Sequence, residues 1–321
     1  MNLTRRTLLS LPLLPLGSTA RPEEPAKAPE PRETRLMFGG DVILGRGVAE
    51  AAHRKNDLAS PMRDMAELFS KADIAFVNLE SPFWDKKPFG TSELIFRAEP
   101  ETIAALELAG IDVVSTANNH ARDCYAEGVG FTLGWLKQHG IAVAGSGENA
   151  EAAHAGAVLE RNSLRFGFLG YTFDQSNGNH FDIDPRIAML DAAQMRLDIA
   201  SMKRRAEVIV VSMHAGAEYW TRPHPIQTAF ARAAIEAGAK VVVGHHPHVV
   251  QPVERYRDGL IFYSLGNLVF DQRRKETQEG LVAEVVFWGS EPASYRLIPV
   301  DIVDTVPRLS LRRPAEGHAF V

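Results

Sequence analysis

Three histidines within four positions, His245, His246 and His248, follow directly on Val241-Val242-Val243-Gly244. Imidazole is the side chain most often found on a metal. The valine run reads as a strand buried on both faces, and Gly-His-His-Pro as the tight loop that ends it. On an extended backbone His246 and His248, two apart, project to the same side. They are placed either to share one cation or to flank one anionic ligand. The plainer alternative is a polar turn in which a histidine caps carbonyls.

The same arrangement recurs along the chain. Apolar Leu36-Met37-Phe38 precedes Gly39-Gly40-Asp41, Ile74 to Val77 precedes Asn78-Leu79-Glu80, and Val113-Val114 precedes Asn118-Asn119-His120. Val208 to Val211 precedes His214, and Ile261-Phe262-Tyr263 precedes Gly266-Asn267. Asp41 follows two glycines that let the backbone turn and aim a carboxylate, as a metal ligand or a helix cap. Glu80 ends an apolar strand, where a lone carboxylate is costly without a partner. Asn78 is a further polar group there, or a turn former. In the triplet, an amide oxygen of Asn118 or Asn119 can ligate a hard cation, and His120 can donate a proton. Asp123, three residues on, is placed to orient the His120 imidazole, or else to cap a helix. His214 reads as a metal ligand, and Glu218, Tyr219, Trp220 and Arg222 after it as a substrate rim or simple packing. His53, His139, His154, His180, His224 and His318 lack such company and read as structural or solvated, and Cys124 as a small buried residue.

Helical spacing separates most of these strands, over residues 61–72, 100–109, 130–139, 191–205 and 225–237. Strands alternating with helices predict a layered α/β fold with a largely parallel sheet. Ligands in such folds sit outside the carboxyl ends of the strands, which is where every cluster above falls. Residues 281–288 and 295–303 read as C-terminal antiparallel strands. The expected organisation is an export signal at 1–20, a Pro/Glu-rich linker at 21–34, one domain at 35–305, and a loop-like tail at 306–321.

Composition narrows the chemistry. A single cysteine excludes a Cys-rich zinc site, so any metal must be held by His, Asp, Glu and Asn. That donor set suits manganese, iron or zinc, or magnesium, over a thiolate-selected ion. The net charge of -5 gives no basic surface for nucleic acid. At the N-terminus, Arg5-Arg6, an apolar stretch from Leu8 to Leu16 and Gly17-Ser18-Thr19-Ala20 form a signal of twin-arginine type or an ordinary secretory one. The stretch is too short and proline-broken to span a membrane well. The expected location is outside the cytoplasm, periplasmic or extracellular, with no transmembrane anchor after cleavage.

Phe38-Gly39-Gly40-Asp41-Val42, Val77 to Pro82, Ala109 to His120, Gly244 to Pro252 and Tyr263 to Asn267 resemble, in order, the CapA-type poly-γ-glutamate capsule biosynthesis family of the calcineurin-like metallophosphatase fold. The resemblance implies a two-layer or four-layer αββα sandwich with a metal centre of one or two divalent ions. It implies Asp41, Glu80, Asn119, His214, His246 and His248 as metal ligands, with Glu80 bridging, and His120 with Asp123 as the catalytic pair. Asn78, Asn118, His245 and Asn267 are then expected to meet substrate. Two departures bear on this. Ile43 stands where classical metallophosphatases carry a histidine, and Asn78-Leu79-Glu80 replaces a Gly-Asp element, so one metal position is expected to be poorer in ligands. The implied activity is hydrolysis of a phosphoester or an anionic envelope polymer; the alternative is an accessory role in a synthase or export complex.

Overall fold

A computed structural model describes residues 32–86, 94–172 and 183–312, together with the backbone strand Ala315–His318. The expected export signal, the expected linker as far as residue 31, and His180 lie outside the described residues. The chain opens with β1 (Glu33–Val42), α1 (Arg46–Arg54), α2 (Arg63–Phe69), β2 (Ile74–Leu79), α3 (Ala104–Ala109), β3 (Val113–Ser115), α4 (Tyr125–Gln138) and β4 (Ala142–Ala144). It continues through α5 (Ala150–Ala155), β5 (Ala157–Arg161), β6 (Leu164–Thr172), α6 (Ala192–Met202), β7 (Val208–His214), α7 (Pro225–Ala237), β8 (Val241–His245), β9 (Val253–Tyr256) and β10 (Gly259–Phe262). The last strands are β11 (Asn267–Val269), β12 (Glu279–Trp288), β13 (Glu291–Val303), β14 (Val306–Leu309) and β15 (Ala315–His318).

Two sheets face each other. The first runs β14-β13-β12-β1-β2-β3-β4, with β11 on β1 and β15 on β13; the second runs β5-β6-β7-β8-β10-β9. Parallel pairing joins β1 through β4 and β6, β7, β8 and β10, while β12, β13 and β14 add antiparallel strands. The apolar runs are continuous because both faces of each central strand are buried. Phe38, Phe76, Val210 and Val243 point into the layer between the sheets, whereas Met37, Val77, Val211 and Val242 point to the outer helices. Fully burying such a side chain contributes roughly 1.5–3 kcal/mol. The result is the four-layer αββα sandwich.

Helix limits follow local chemistry. Pro225 opens α7 after a His224/Gln227 capping box, and Gly238 at φ 114° closes it. Helix α4 begins at Tyr125, earlier than the expected residue 130, because Gly128, Gly130 and Gly134 lie within it and weaken the helical signal. Strand β6 carries little signal for a similar reason. Its Gly167 leaves room for Met202, whose Cγ would lie 2.6 Å from an added Cβ.

Two expected boundaries are corrected. Glu33 and Thr34, expected in the linker, belong to β1, paired with Trp288 and Phe287. Residues 306–309 and 315–318, expected in a loop-like tail, are strands: β14 and β15 both pair with β13, extending the first sheet. Among the described residues no helix is long and apolar enough to cross a membrane.

Candidate metal centre

The sheets bring their carboxyl ends together. A register shift in β1 between Phe38 and Asp41 places Asp41 opposite Asn78 of β2 and Asn267 of β11. The approach is close enough that a Cβ on Gly40 would lie 1.9 Å from the Gly266 carbonyl oxygen, so only glycine fits. Asp41 is fully buried; Asn78 Nδ2 donates to its Oδ1 at 2.8 Å, and the His246 amide donates to Oδ2 at 3.2 Å. His245 and His248 each bring Nδ1 to 3.3 Å from this carboxylate. Burial works to raise the Asp41 pKa, but those two histidines overcome it and hold the carboxyl well below its ordinary range.

Glu80, one residue past β2, is also fully buried, yet neither side-chain oxygen has a hydrogen-bond partner among the described residues. Burial, then the neighbouring Asp41, Glu218 and Asp123 carboxylates, pushes its pKa well above the ordinary value against the pull of Arg46. Three imidazole Nε2 atoms surround its Oε1: His214 at 3.7 Å, His120 at 3.9 Å and His248 at 3.9 Å. These separations are too long for hydrogen bonds.

His214 ends β7 and meets His245 across the β7–β8 ladder, and its Nε2 lies 2.7 Å from Asn119 Oδ1. His246 and His248 leave the extended conformation, with φ at 94° and 58°. Left-handed backbone at a residue other than glycine costs of order 1–3 kcal/mol and gathers at functional sites. The turn separates the two rings, whose centroids are 6.1 Å apart, into different groups. One group is Glu80, His214 and His246; the other is Asp41, Glu80 and His248, with ligand atoms within 4.8 Å of one another in each. Burial, and then the charge of His246, holds His214 well below the ordinary imidazole pKa. His246 is pushed down to about 3, chiefly by burial and next by His248. Both are therefore neutral at pH 7, the form that binds a cation.

His120 stands beside both groups. Its Nδ1 is 2.7 Å from Asp123 Oδ2, and Phe96 stacks on its ring with centroids 3.6 Å apart. Asp123 also accepts from the Phe96 amide at 2.7 Å, so one carboxylate sets the position of both rings.

A family profile described as "Bacterial capsule synthesis protein PGA_cap" matches residues 35–272. The chain belongs to this family. It is similar to the PGA biosynthesis protein CapA of Bacillus subtilis, 30% identical over 274 residues that cover 84% of this chain and 72% of that one. The capsule biosynthesis protein CapA of Bacillus anthracis is 29% identical over 296 residues, covering 88% and 71%. A probable polyglutamine synthesis accessory protein of Mycobacterium tuberculosis is 28% identical over 343 residues, covering 90% and 89%. Among solved structures, a phosphatase from Mycoplasma pneumoniae is similar at a TM-score of 0.49 and 14% identity, covering 90% of this chain and 94% of that one.

In this member of the capsule synthesis family the residues fit a divalent cation. Donors on one small cation stand about 3 to 4 Å apart, the spacing found around Glu80. Its two unpartnered oxygens are the acceptors a cation would satisfy, and the donors are all imidazole or carboxylate. Behind His248, Asn267 Oδ1 lies 2.9 Å from Nδ1 and leaves Nε2 facing the cluster, the support that metal-bound histidines require.

The four residues expected to meet substrate are buried beside the cluster. His245 is fully buried below Asp41, its ring 6.1 Å from that of Phe76. Asn267 is fully buried too, donating from Nδ2 to Gln272 and to the Thr277 carbonyl. Asn78 and Asn118 are linked to each other at 3.3 Å, and Asn118 Nδ2 donates to the Leu79 carbonyl at 2.8 Å. Asn78, Asn118 and Asn267 thus hold Asp41, the His120 amide and His248 in place. Asn267 also begins β11 on the first sheet; it does not follow β10 on the second, because the chain crosses between sheets at residues 263–266. Ile43 packs in the outer core of the first sheet, its amide bonded to Val269. Elsewhere, His53, His139 and His154 each face one carboxylate, and His224 caps α7. Arg46 and Phe96 come to the site unannounced by their sequence neighbours, whereas Tyr219, expected at a substrate rim or in simple packing, stands 6.4 Å from the His248 ring.

Proposed function

We propose that the chain is an exported, metal-dependent hydrolase of phosphoesterase type, acting on an anionic polymer of the envelope or capsule. The observation that carries this reading is Glu80: a fully buried carboxylate with two unpartnered oxygens amid imidazoles. One divalent ion, manganese, iron or zinc, would be held by Glu80, His214 and His246, with the Asn119 amide oxygen adjoining. A second would be held by Asp41, Glu80 and His248, which makes Glu80 the bridge. When bound, such ions polarise a phosphoryl or acyl oxygen and neutralise charge that develops on it.

The protein's own groups complete the site. His120 holds its Nδ1 proton against Asp123, which leaves Nε2 to carry a proton to or from the reacting oxygen. Phe96 fixes the plane of that ring and keeps water from one face. Asn78 and His245 restrain Asp41 so that its carboxylate stays ionised and aimed. The names of the Bacillus relatives, capsule and PGA biosynthesis, support a polyanionic substrate, and residues 1–20 support export to the periplasm or the exterior.

The test is metal analysis of the purified protein after dialysis, beside hydrolysis of phosphodiesters and γ-glutamyl polymer. Retention of about two equivalents per chain, with turnover lost on chelation, is the expected result. A protein that takes no metal on reloading with manganese, iron or zinc would overturn it. The name of the Mycobacterium relative favours a second reading, an accessory protein that binds polyanion or a synthase complex. His120→Ala separates the two: hydrolysis lost with polymer binding kept supports the enzyme, and no hydrolysis in either protein supports the accessory role.

A further inference from the structure

Nothing above assigns a role to Arg46, and three independent features single it out. Its backbone is left-handed, φ 53°, although it is neither glycine nor in a hairpin. Its guanidinium Cζ lies 4.5 Å above the centroid of Phe96, the ring that stacks on His120. Its Nη2 meets Asp271 Oδ1 at 2.9 Å, while Asp271 Oδ2 accepts from the amide of the next residue, Gly47, at 3.0 Å. One carboxylate thus fixes both the strained main chain and the head group. The side chain stays 26% exposed, so the guanidinium is both held and accessible.

We propose that Arg46 receives the oxyanion of the substrate at the mouth of the metal centre; this rests on the hydrolase reading of the same site. A planar guanidinium presents five donors in a fixed fork matched to phosphate or carboxylate oxygens. Asp271 and the Phe96 face engage part of that fork and leave the remainder for a ligand. Arg274 lies with its Cζ 4.3 Å above the ring of Tyr219, whose amide donates to the Pro247 carbonyl between the two metal-facing histidines. Two arginines, each spread on an aromatic face, therefore border the cluster. Glu218 is the carboxylate on this side, exposed to solvent, and it opposes an anion there. Its presence favours a ligand whose negative charges are spaced, as in a polymer, over a single compact anion. The shared ligand chemistry is an oxyanion, phosphoryl or carboxylate.

The test is calorimetric titration of inorganic phosphate, and separately of a γ-linked glutamate oligomer, into the full protein and its Arg46→Ala, Arg46→Lys and Arg54→Ala variants. Metal content and melting temperature are measured alongside. Arg54 lies on the same helix with 71% of its side chain exposed and controls for general charge. The expected result is roughly tenfold or greater loss of affinity in Arg46→Ala, partial recovery in Arg46→Lys, and little change in Arg54→Ala, with metal content unaltered throughout. Loss for phosphate alone assigns a phosphoryl ligand, loss for the oligomer alone a carboxylate one. Unchanged affinity for both in a folded Arg46→Ala variant, or equal losses in Arg46→Ala and Arg54→Ala, overturns the proposal. A wild-type protein that takes no metal overturns the hydrolase reading alone, since Arg46-dependent anion binding would still establish the oxyanion site.

Discussion

The molecule contains two buried clusters built from similar residues, and they are finished differently. On the helical side of the second sheet, Asp198 of α6 accepts from His154 and Tyr171 at 2.8 Å each and from Gln194 at 2.8 Å. Both its oxygens are used, and burial with the Asp198 charge pushes the Tyr171 hydroxyl well above its ordinary pKa. At the sheet ends, Glu80 has neither oxygen used, and two of the histidines around it sit on left-handed backbone. A carboxylate that the chain satisfies by itself holds helices to a sheet. One that the chain leaves bare, among imidazoles, is left for a cation to complete. Residue type does not tell the clusters apart; the hydrogen-bond ledger does.

That contrast can be broken most severely at Glu80. Because both ligand groups share it, Glu80→Gln is expected to remove both ions and abolish turnover; elemental analysis showing undiminished metal would refute the bridging role. His120→Ala comes next, with an expected loss of about 10²- to 10⁴-fold in turnover and metal content unchanged, since His120 belongs to neither group. Equal loss of metal and turnover would instead make His120 a ligand.

The pH dependence of the metal-free protein sharpens the comparison further. Folded His246 takes its proton only near pH 3, whereas the unfolded chain takes it near 6.5. The unfolded state therefore binds more protons in that window, and stability falls as pH drops through it. Glu80 acts oppositely: its folded pKa lies above the unfolded 4.5, so its contribution is full below that value and is lost as pH rises. Thermal melts across pH should show both limbs, the acid one reduced in His246→Gln and the alkaline one in Glu80→Gln. The smallest expected effect lies in the other cluster. His154→Gln should cost about 1 kcal/mol, read from denaturant unfolding, and leave metal content and turnover as they were. A change in turnover there would erase the distinction.

The centre was legible in sequence because buried parallel strands announce themselves and their carboxyl ends form the crevice. Asp41, Glu80, His214, His246 and His248 were all placed by that reasoning, and the structure brings them within one site. What escaped it depends on single backbone torsions and long-range packing. Period-two alternation treats His246 and His248 as neighbours on one face; the left-handed turn sends them to different ligand groups. His245, still in the strand, is fully buried with its Nδ1 3.3 Å from the Asp41 carboxylate. Phe96 and Arg46 have no periodic company, and only the fold stacks one on His120 and the other above it. Strand β6 hid behind Gly167 and Gly170, small because α6 and the first sheet press close.

Glu80 also makes metal uptake a proton-counting event. Buried beside Asp41 and Asp123, it holds its proton more tightly than an ordinary carboxyl, and a cation must take that proton's place. Wherever Glu80 is protonated, loading would release that proton into the medium, and apparent affinity would climb as pH rises toward the raised pKa. The compartment in which the protein acquires its ions, by its acidity alone, would then decide how completely it is charged.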